Sequence, residues 1–418
     1  MATNADPLAM MALDDLRVLE IGDERGAWCG KLLADMGADV IKIEPPEGDP
    51  SRQYEPFVDD EPHHERSLFF WYYNTSKRSV VMDFNDRSNA DAFLKLVESA
   101  DIIFDTNTYD PIGRLGIDYH QIMSDNPGLI WCTITNFGFG SVRDDEPHTD
   151  LTLAANGGFA WMNGYDDHSL PPVRGGGQQA YHTGSNYAFM SILTALLHRD
   201  ATGVGQHINV NINASVNVTT EAGSYSWLVS HSTVQRQTGR HAGVAPSMPS
   251  QIKCADGRYV NTGIPPRRPA EFGLCYDWLE AEGLLDELPE AALLQVGAEL
   301  ESFSLADVFR GDNEELLAIF GAGREAFDLL ASKLTAYEFF TKAQNFGFQV
   351  GVIHSPEEAL EDPHFVDRGM QVKVEHPELN REVIYPGAPY QLTKGSWGIT
   401  RRPPLLGEHT DEVLSELA

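Results

Sequence analysis

A strand–helix–strand pattern near the amino terminus constrains the fold more than any other feature of the sequence. The apolar run Leu16–Gly22 predicts a buried strand, Gly26–Met36 predicts a helix, and Ala38–Glu44 predicts the next strand. Two strands joined through a helix pair in parallel. Parallel sheets are covered by helices on both faces, so this unit predicts an α/β protein.

The same alternation of strands and helices continues along the chain. Strands are predicted at Ser79–Phe84, Asp101–Phe104 and Leu129–Thr135, with a helix at Ser88–Val97. Gln206–Ile212 alternates apolar and polar residues, as a half-buried strand does. We therefore expect one α/β sheet that gains strands from most of the first half of the chain.

The length of 418 residues exceeds what one ordinary compact core supports, so two domains are expected. A change of composition in the middle of the chain predicts a large domain at 1–230 and a small domain at 245–350. Residues 351–418 are expected to return to the large domain. A final helix is predicted to begin at Thr410 or Asp411.

The charge balance excludes several classes of partner. The chain has 62 acidic and 30 basic residues, a formal net charge of −32, which argues against nucleic acid and anionic membranes because both bind clustered cations. The acid excess suits a solvated surface or a high-salt habitat. The amino terminus has neither a basic segment nor an apolar run long enough for a bilayer, so we expect a cytoplasmic protein.

Neither a metal site nor a dinucleotide site is predicted. The four cysteines are far apart and form no CxxC pair, which indicates neither disulfides nor zinc. His63, His64, Glu65 and His207 lack metal-ligand spacing. The turn Gly22–Gly26 lacks the GxGxxG pattern, so NAD is not expected.

The stretch Arg174–Gly184 predicts a flexible glycine loop that leads into a buried helix through Tyr187–Leu197. Gly175, Gly176 and Gly177 would let a ligand approach the backbone closely. Free N–H groups at the start of the helix would favour an anion or a polarised carbonyl. The alternative is a connector whose glycines only turn a tight corner.

Two further positions are candidates for the loops around such a site. Phe137 follows a predicted strand within Asn136–Gly140, and open α/β sheets bind ligands where their strands end. Arg25 lies in the turn between the first strand and the first helix. Both are predicted to border the site.

Six short motifs follow one another over nearly the whole chain: Leu32–Glu44, Ser76–Ser79, Thr202–Gln206, Cys254–Gly257, Asp362–Met370 and Pro404–Thr410. In sequence and in order they resemble motifs of the class III CoA-transferases, the group of formyl-CoA and carnitine CoA-transferases and related acyl-CoA racemases. One such motif would be weak evidence, but six in register are specific.

The resemblance implies an architecture and a ligand. It implies a Rossmann-like large domain built from both chain ends, a small middle domain, and two subunits threaded into an interlocked dimer. CoA would be a substrate on the large domain near the dimer interface. Lys77 and Arg78 match a basic pair near the nucleotide, and Arg114 and Leu115 match further contact positions. The alternative for each cation is a surface salt bridge.

In this family an aspartate at the start of the helix after the glycine loop attacks the acyl-CoA thioester. CoA leaves and returns to form an enzyme-bound thioester, and the acceptor carboxylate then takes over the CoA. The matching position here is Ala180 or Tyr181, and neither is an acid. Tyr181 as a hydrogen-bond donor and His182 as a base are the adjacent candidates, unless they only pack or cap the helix. The other candidate acids are Asp23, Glu24, Asp150, Asp166 and Asp167.

Three functions follow from the resemblance. The first is CoA transfer from an acyl-CoA thioester to a carboxylic acid by a displaced acid or a non-covalent route. The second is a catalytically silent subunit that supports an active paralogue in a heteromer, as opposed to a homodimer. The third is racemase or lyase chemistry, for which His148 and Asp150 supply half of the required acid–base pair. The acyl group is not determined by the sequence.

Overall fold

The computed structural model describes residues 11–107, 110–144 and 146–417, which form two compact units. The first unit contains the described residues of 1–160, 174–221 and 360–418, and the second contains 161–173 and 222–359. The segment 161–173, which the sequence analysis assigned to the large domain, therefore belongs to the second unit. The amino-terminal residues 1–10, part of the basis for the predicted location, lie outside the described residues.

The first unit is built on a six-stranded parallel sheet. Its strands are β1 (Arg17–Ile21), β2 (Asp39–Glu44), β3 (Arg78–Val81), β4 (Ile102–Asp105), β5 (Ile130–Thr135) and β6 (His207–Asn211). Their order across the sheet is β3-β2-β1-β4-β5-β6, the arrangement of a doubly wound Rossmann fold. The predicted α/β class and parallel sheet are confirmed.

The helices of the first unit follow the strands in the predicted alternation. They are α1 (Glu24–Asp35), α2 (Leu68–Tyr73), α3 (Ala90–Glu98), α4 (Asp110–Arg114), α5 (Tyr119–Asp125), α6 (Asp150–Asn156), α7 (Gln179–Thr202) and α8 (Ile212–Asn217). α9 (Glu221–Ser230) begins where this unit ends.

Two boundaries in this part differ from the sequence prediction. β3 ends at Val81, not Phe84, because carboxylate-capped turns begin at Asp83, whose side chain accepts the backbone N–H of Asn85. The helix predicted from Ser88 begins at Ala90 after one 3-10 turn. Side chains that hydrogen-bond the nearby backbone end a strand even where the apolar pattern continues. The apolar pattern alone therefore predicted too long a strand.

Alternate residues of each strand enter two separate cores, one on each face of the sheet. Val18 packs with Cys29 and Leu33 of α1 and with residues of α7. Its neighbour Leu19 packs on the opposite face with Phe93 of α3. Successive side chains of a strand point to opposite faces of the sheet. Because neighbouring residues of β1 are both apolar, both faces of this strand are buried.

The carboxyl-terminal part of the chain returns to the first unit. It contains α16 (Pro363–Asp367), the hairpin of β10 (Gln371–His376) and β11 (Arg381–Pro386), and α17 (Thr410–Ser415). α17 begins at the predicted Thr410, whose hydroxyl accepts the backbone N–H of Val81 at 3.0 Å. The last helix is thereby joined to the edge strand β3.

Buried ion pairs connect β1, β2 and the segments that follow them. Lys42 contacts Glu20 at 2.9 Å and Asp49 at 2.7 Å, and Lys77 contacts Glu20 at 2.7 Å. The helix above can approach only because residue 30 is glycine, since a Cβ there would lie 2.1 Å from a Glu20 oxygen. The close packing of α1 and these ion pairs therefore depend on one another.

The second unit has a small antiparallel sheet and a helical core. The sheet contains β7 (Gln251–Lys253), β8 (Tyr259–Asn261) and β9 (Gly351–Val352). The helices are α10 (Pro269–Ala281), α11 (Ala291–Ala298), α12 (Leu305–Arg310), α13 (Glu314–Lys333), α14 (Ala336–Asn345) and, at the unit's end, α15 (Pro356–Glu361). Trp278 is completely buried among Phe327, Phe339 and Phe348. In the described ranges no helix combines the length and apolar composition needed to cross a bilayer.

We expect Arg52→Leu to lower the free energy of unfolding by about 3–5 kcal/mol, because the buried Glu44 carboxylate would lose its cation. Arg52 is completely buried and holds both Glu44 oxygens, at 2.7 and 2.8 Å. Urea denaturation at neutral pH measures the change. Arg381→Leu, which removes the exposed pair with Asp59, is the control and should change stability by less than about 1 kcal/mol. Equal effects of the two changes would contradict the structural role of Arg52.

Candidate active site

Asp150 occupies the start of α7, where the sequence predicted free N–H groups. One oxygen of its buried carboxylate accepts the N–H groups of Ala180 at 2.8 Å and Tyr181 at 3.1 Å. The other oxygen accepts from the Arg174 guanidinium at 2.7 Å. The prediction of free donors is therefore wrong for these two positions, because an internal carboxylate already uses them.

The glycine loop before α7 is exposed, and its own side chains hold it. Gly177 has a φ of +76°, a conformation that favours glycine. Its carbonyl accepts from Arg174 at 2.6 Å, and the Gly176 carbonyl accepts from Gln179 at 2.8 Å. Gly175 and Gly176 leave open space around the backbone. Their role as a ligand loop stays a prediction, and the open backbone is compatible with it.

The position expected to hold the nucleophile is buried and has no acid. Ala180 is 1% exposed and packs in the core, while Tyr181 is 5% exposed. Burial and the nearby charges of Glu24 and Asp23 raise the pKa of Tyr181 above its ordinary value. The phenol is therefore protonated at neutral pH, which makes it a poor nucleophile.

His182 belongs to an aromatic cluster that the sequence analysis did not identify. Its ring stacks on Trp28 with 4.6 Å between ring centroids, and its Nε2 lies 2.8 Å from the Tyr73 hydroxyl. Burial lowers the pKa of His182. The lowered pKa favours the neutral imidazole, the form that can accept a proton, and makes it a weaker base than an exposed histidine. The aromatic run Phe69–Tyr73 was the available signal for this cluster.

Carboxylates near Tyr181 lie in the turn after β1. Asp23 makes a bidentate pair with Arg25, 2.7 Å at its shortest, and Arg25 also donates to Asn107. Glu24 accepts from the Tyr54 hydroxyl at 3.2 Å. Burial, with Asp23 next in effect, raises the pKa of Glu24. Glu24 is thus a partly buried carboxyl whose hydrogen-bond partner is neutral.

A cleft of about 370 Å³ lies at the carboxyl ends of β1 and β2 in the first unit. Arg114 and Asn107 line it, together with the Pro45–Pro46 turn. Leu115, predicted to contact CoA, has its side chain in the apolar core instead, 3% exposed. A side-chain contact of Leu115 with a ligand is therefore not compatible with this packing, whereas Arg114 is placed at the cleft.

The predicted basic pair is engaged within the protein. Lys77 is fully buried against Glu20 and donates to Asn74 at 2.9 Å. Burial, only partly opposed by Glu20, lowers the pKa of Lys77 to about 8. Arg78 pairs with Asp39 and Glu416. In this conformation neither cation is presented to a phosphate group, because each is neutralised by internal carboxylates.

The remaining candidates have various surroundings. Phe137 is buried in the same core cluster as Ala180 and Tyr181 and lies beneath the Arg143 guanidinium, 4.2 Å from its ring centroid. His148 contacts Thr152 and Glu146, so it is not paired with Asp150 as a racemase would require. Asp166 and Asp167 belong to the second unit. Within the described part of the chain, no cluster of side chains could hold a metal ion.

The fold and the site together define a class of protein. A parallel sheet with Rossmann strand order carries its ligand cleft at the carboxyl ends of the strands. Beside it, α7 starts behind a glycine loop and an aromatic cluster. This arrangement is typical of an α/β protein that binds a small molecule at the carboxyl ends of its strands.

Comparison with known proteins identifies the family. The family described as CoA-transferase family III matches residues 13–410 of the sequence. The chain therefore belongs to this family. It is 30% identical over 400 residues to the succinyl-CoA:(R)-benzylsuccinate CoA-transferase subunit BbsE of Thauera aromatica, covering 96% of this chain and 93% of that protein. It is also 30% identical over 414 residues to the succinyl-CoA:mesaconate CoA-transferase of Haloarcula hispanica, covering 97% and 96%. The protein is therefore an enzyme of the CoA-transferase class.

Solved structures agree with the fold. A CaiB/BaiF family protein from Brucella suis superimposes with a TM-score of 0.79 at 24% identity, covering 98% of this chain and all of that chain. At this identity the likeness concerns the fold alone. The resemblance drawn from the six sequence motifs is confirmed by the family match.

We expect Asp150→Ala to lower the free energy of unfolding by about 1–3 kcal/mol, because two buried N–H groups would lose their acceptor. Asp150→Asn keeps an acceptor oxygen and should cost less. Thermal and urea unfolding of both variants measure the difference. If both variants were as stable as the parent chain, Asp150 would not hold the start of α7.

Proposed function

We propose that this protein takes part in the transfer of CoA between an acyl-CoA thioester and a carboxylic acid, as the subunit that does not supply the nucleophile. The observation that carries the proposal is the environment of Ala180 and Tyr181, the two candidates for the position where the family has an aspartate. Ala180 is a buried methyl group, Tyr181 is a buried phenol, and the carboxylate that contacts them, Asp150 of α6, is used by their backbone N–H groups. A second, paralogous chain would supply the reacting carboxylate.

The reaction requires a carboxylate oxygen that can reach the thioester carbon. Attack forms a mixed anhydride and breaks the C–S bond, so the CoA thiolate leaves. The thiolate then attacks the enzyme-derived carbonyl and releases the first acid. The acceptor carboxylate and the CoA thiolate repeat these steps in reverse order to form the new acyl-CoA. Neither the Ala180 methyl nor the protonated Tyr181 phenol can supply that oxygen.

The name of one relative supports a multi-subunit arrangement. The protein from Thauera aromatica is described as a subunit of its CoA-transferase. In this chain, α9 exposes Leu228 and Val229, which are 76% and 83% accessible, and adjacent aromatic side chains. Exposed apolar surface of this kind is characteristic of protein–protein interfaces. It supports a dimer with a second chain, of which the interlocked form remains the expectation from the family.

The composition of the cleft in the first unit suits one part of CoA. Several carboxylates line it, among them Glu47 and Asp83, with Arg114 as its cation. Carboxylates accept hydrogen bonds from ribose hydroxyls but repel phosphates. We therefore assign this cleft to the adenosine end of CoA, with Arg114 beside a phosphate at its margin. Lys77 and Arg78 are not part of this assignment.

A second candidate is an active chain that uses Glu24 as a displaced acid. Glu24 has a raised pKa and lies close enough to Tyr181 to affect that residue's pKa. A carboxyl with a raised pKa is suited to proton transfer, and its ionised form could also attack a thioester. The two candidates make opposite predictions for the purified chain.

We expect the purified chain to catalyse no CoA transfer from succinyl-CoA to a panel of carboxylic acids. Transfer should appear after co-expression with a paralogous chain that has an acid at the position matching Ala180 or Tyr181. Intact-protein mass spectrometry during turnover should locate the CoA adduct on the partner, because this chain lacks the nucleophile. Light scattering establishes whether the two chains associate.

Turnover by the purified chain alone would contradict the non-nucleophilic role. In that case Glu24→Gln decides whether Glu24 is the displaced acid, since it should abolish both turnover and the adduct. Glu98→Gln, which changes an exposed glutamate of α3, is the matched control. Turnover that survives Glu24→Gln would exclude the Glu24 route.

We expect Arg114→Gln to weaken CoA binding by about tenfold, because one charge-assisted hydrogen bond to a phosphate is lost. Isothermal titration of the protein with CoA measures the dissociation constant. Arg381→Gln is the control, since Arg381 is exposed, belongs to the same unit and pairs with Asp59 outside the cleft. An unchanged affinity of the Arg114 variant would remove the cleft from the CoA site.

A further inference from the structure

A cavity of about 470 Å³ in the second unit has a charge opposite to that of the whole chain. The loop from Gly239 to Ser250 and the segment before α10 border it. Its ionisable lining residues are Arg240, His241 and Arg267, and none of the described lining residues is acidic. In a chain with 62 acidic and 30 basic residues, such a concentration of basic side chains is not explained by composition.

Arg267 is the principal feature of this cavity. Its guanidinium lies over Gly263, where a Cβ would be only 2.6 Å from one of its nitrogens. Its Nε donates to the Ile264 carbonyl at 3.4 Å, and no carboxylate among the described residues pairs with it. Arg267 also lines an adjoining cavity of about 380 Å³. The guanidinium therefore retains donors for a ligand at the junction of two cavities.

The acids around this site are committed to other groups. The Glu271 carboxylate pairs with the Arg268 guanidinium at 2.8 Å and accepts the backbone N–H of Arg267 at 2.6 Å. Asp166, which does not line the cavity, pairs with Arg240 at 2.8 Å. The Nε of Arg240 is buried without a hydrogen-bond partner. Internal carboxylates thus offset Arg240 and Arg268 but leave the charge of Arg267 unpaired.

We propose that this cavity binds a small organic dianion, whose carboxylate or phosphate oxygens pair with Arg267. A planar guanidinium fork matches both oxyanions. Asp166 offsets the charge of Arg240, so a second oxyanion would be held by hydrogen bonds, for which the amide groups of Gln349 and Asn261 supply donors at the same cavity. The site lies within the second unit, so it does not depend on the assignment of CoA to the first.

The test is isothermal titration of the full chain with succinate and, separately, with inorganic phosphate. Acetate at matched ionic strength is the monoanion control. We expect saturable binding of at least one dianion and weaker binding of acetate. Arg267→Gln should weaken that binding by about tenfold or more, and Arg267→Lys should weaken it less because the charge remains without the fork. Preference for succinate or for phosphate identifies which oxyanion the site accepts.

The control for lost charge is Arg310→Gln, an exposed arginine of the same unit paired with Asp307. It should leave the dissociation constant within about twofold of the parent value, because exposed charges act weakly at a distance. Circular dichroism checks that each variant is folded. Absence of saturable binding for both dianions, or equal binding by the parent chain and Arg267→Gln, would overturn the proposal.

Discussion

Arg52 has no contact with solvent, and its guanidinium joins parts of the chain that are far apart in sequence. It binds both oxygens of Glu44 at the end of β2, a Glu65 oxygen at 2.7 Å, and the Pro404 carbonyl at 3.1 Å. A buried charge without partners costs several kcal/mol, so these groups must assemble together. The return of the carboxyl terminus to β3 therefore depends on the same interaction that completes the turn after β2.

This buried network also determines the shape of the candidate site. Together with the Lys42–Asp49 pair, it holds the turn after β2, which forms one wall of the cleft. The Lys77–Glu20 pair lies beside Gly30 of α1. The start of α7 depends on Asp150, which ties α6 to the first turn of α7. Glu44 and Asp150 are structural carboxylates, because internal donors bind both oxygens of each.

The fold was predictable to the extent that it depends on periodicity. The apolar runs at β1 and β2 predicted a doubly buried sheet, and Thr410 marked the start of the last helix. The candidate site was less predictable. Lys77 and Arg78 have the composition of an anion site, yet partners from β1, β2 and α17 neutralise them. No local pattern encodes such partners, because they come from distant positions.

The sequence by itself determined the α/β class, the family resemblance and the absence of an acid at Ala180, since each is a property of residue identity and spacing. Only the tertiary structure decided which charges are available to a ligand. Lys77 is buried and paired with Glu20, so it is not available to a ligand. The Arg267 guanidinium has no carboxylate partner among the described residues, so it is available. The physical reason is that desolvation and Coulomb attraction depend on distances in space, which the order of residues does not specify.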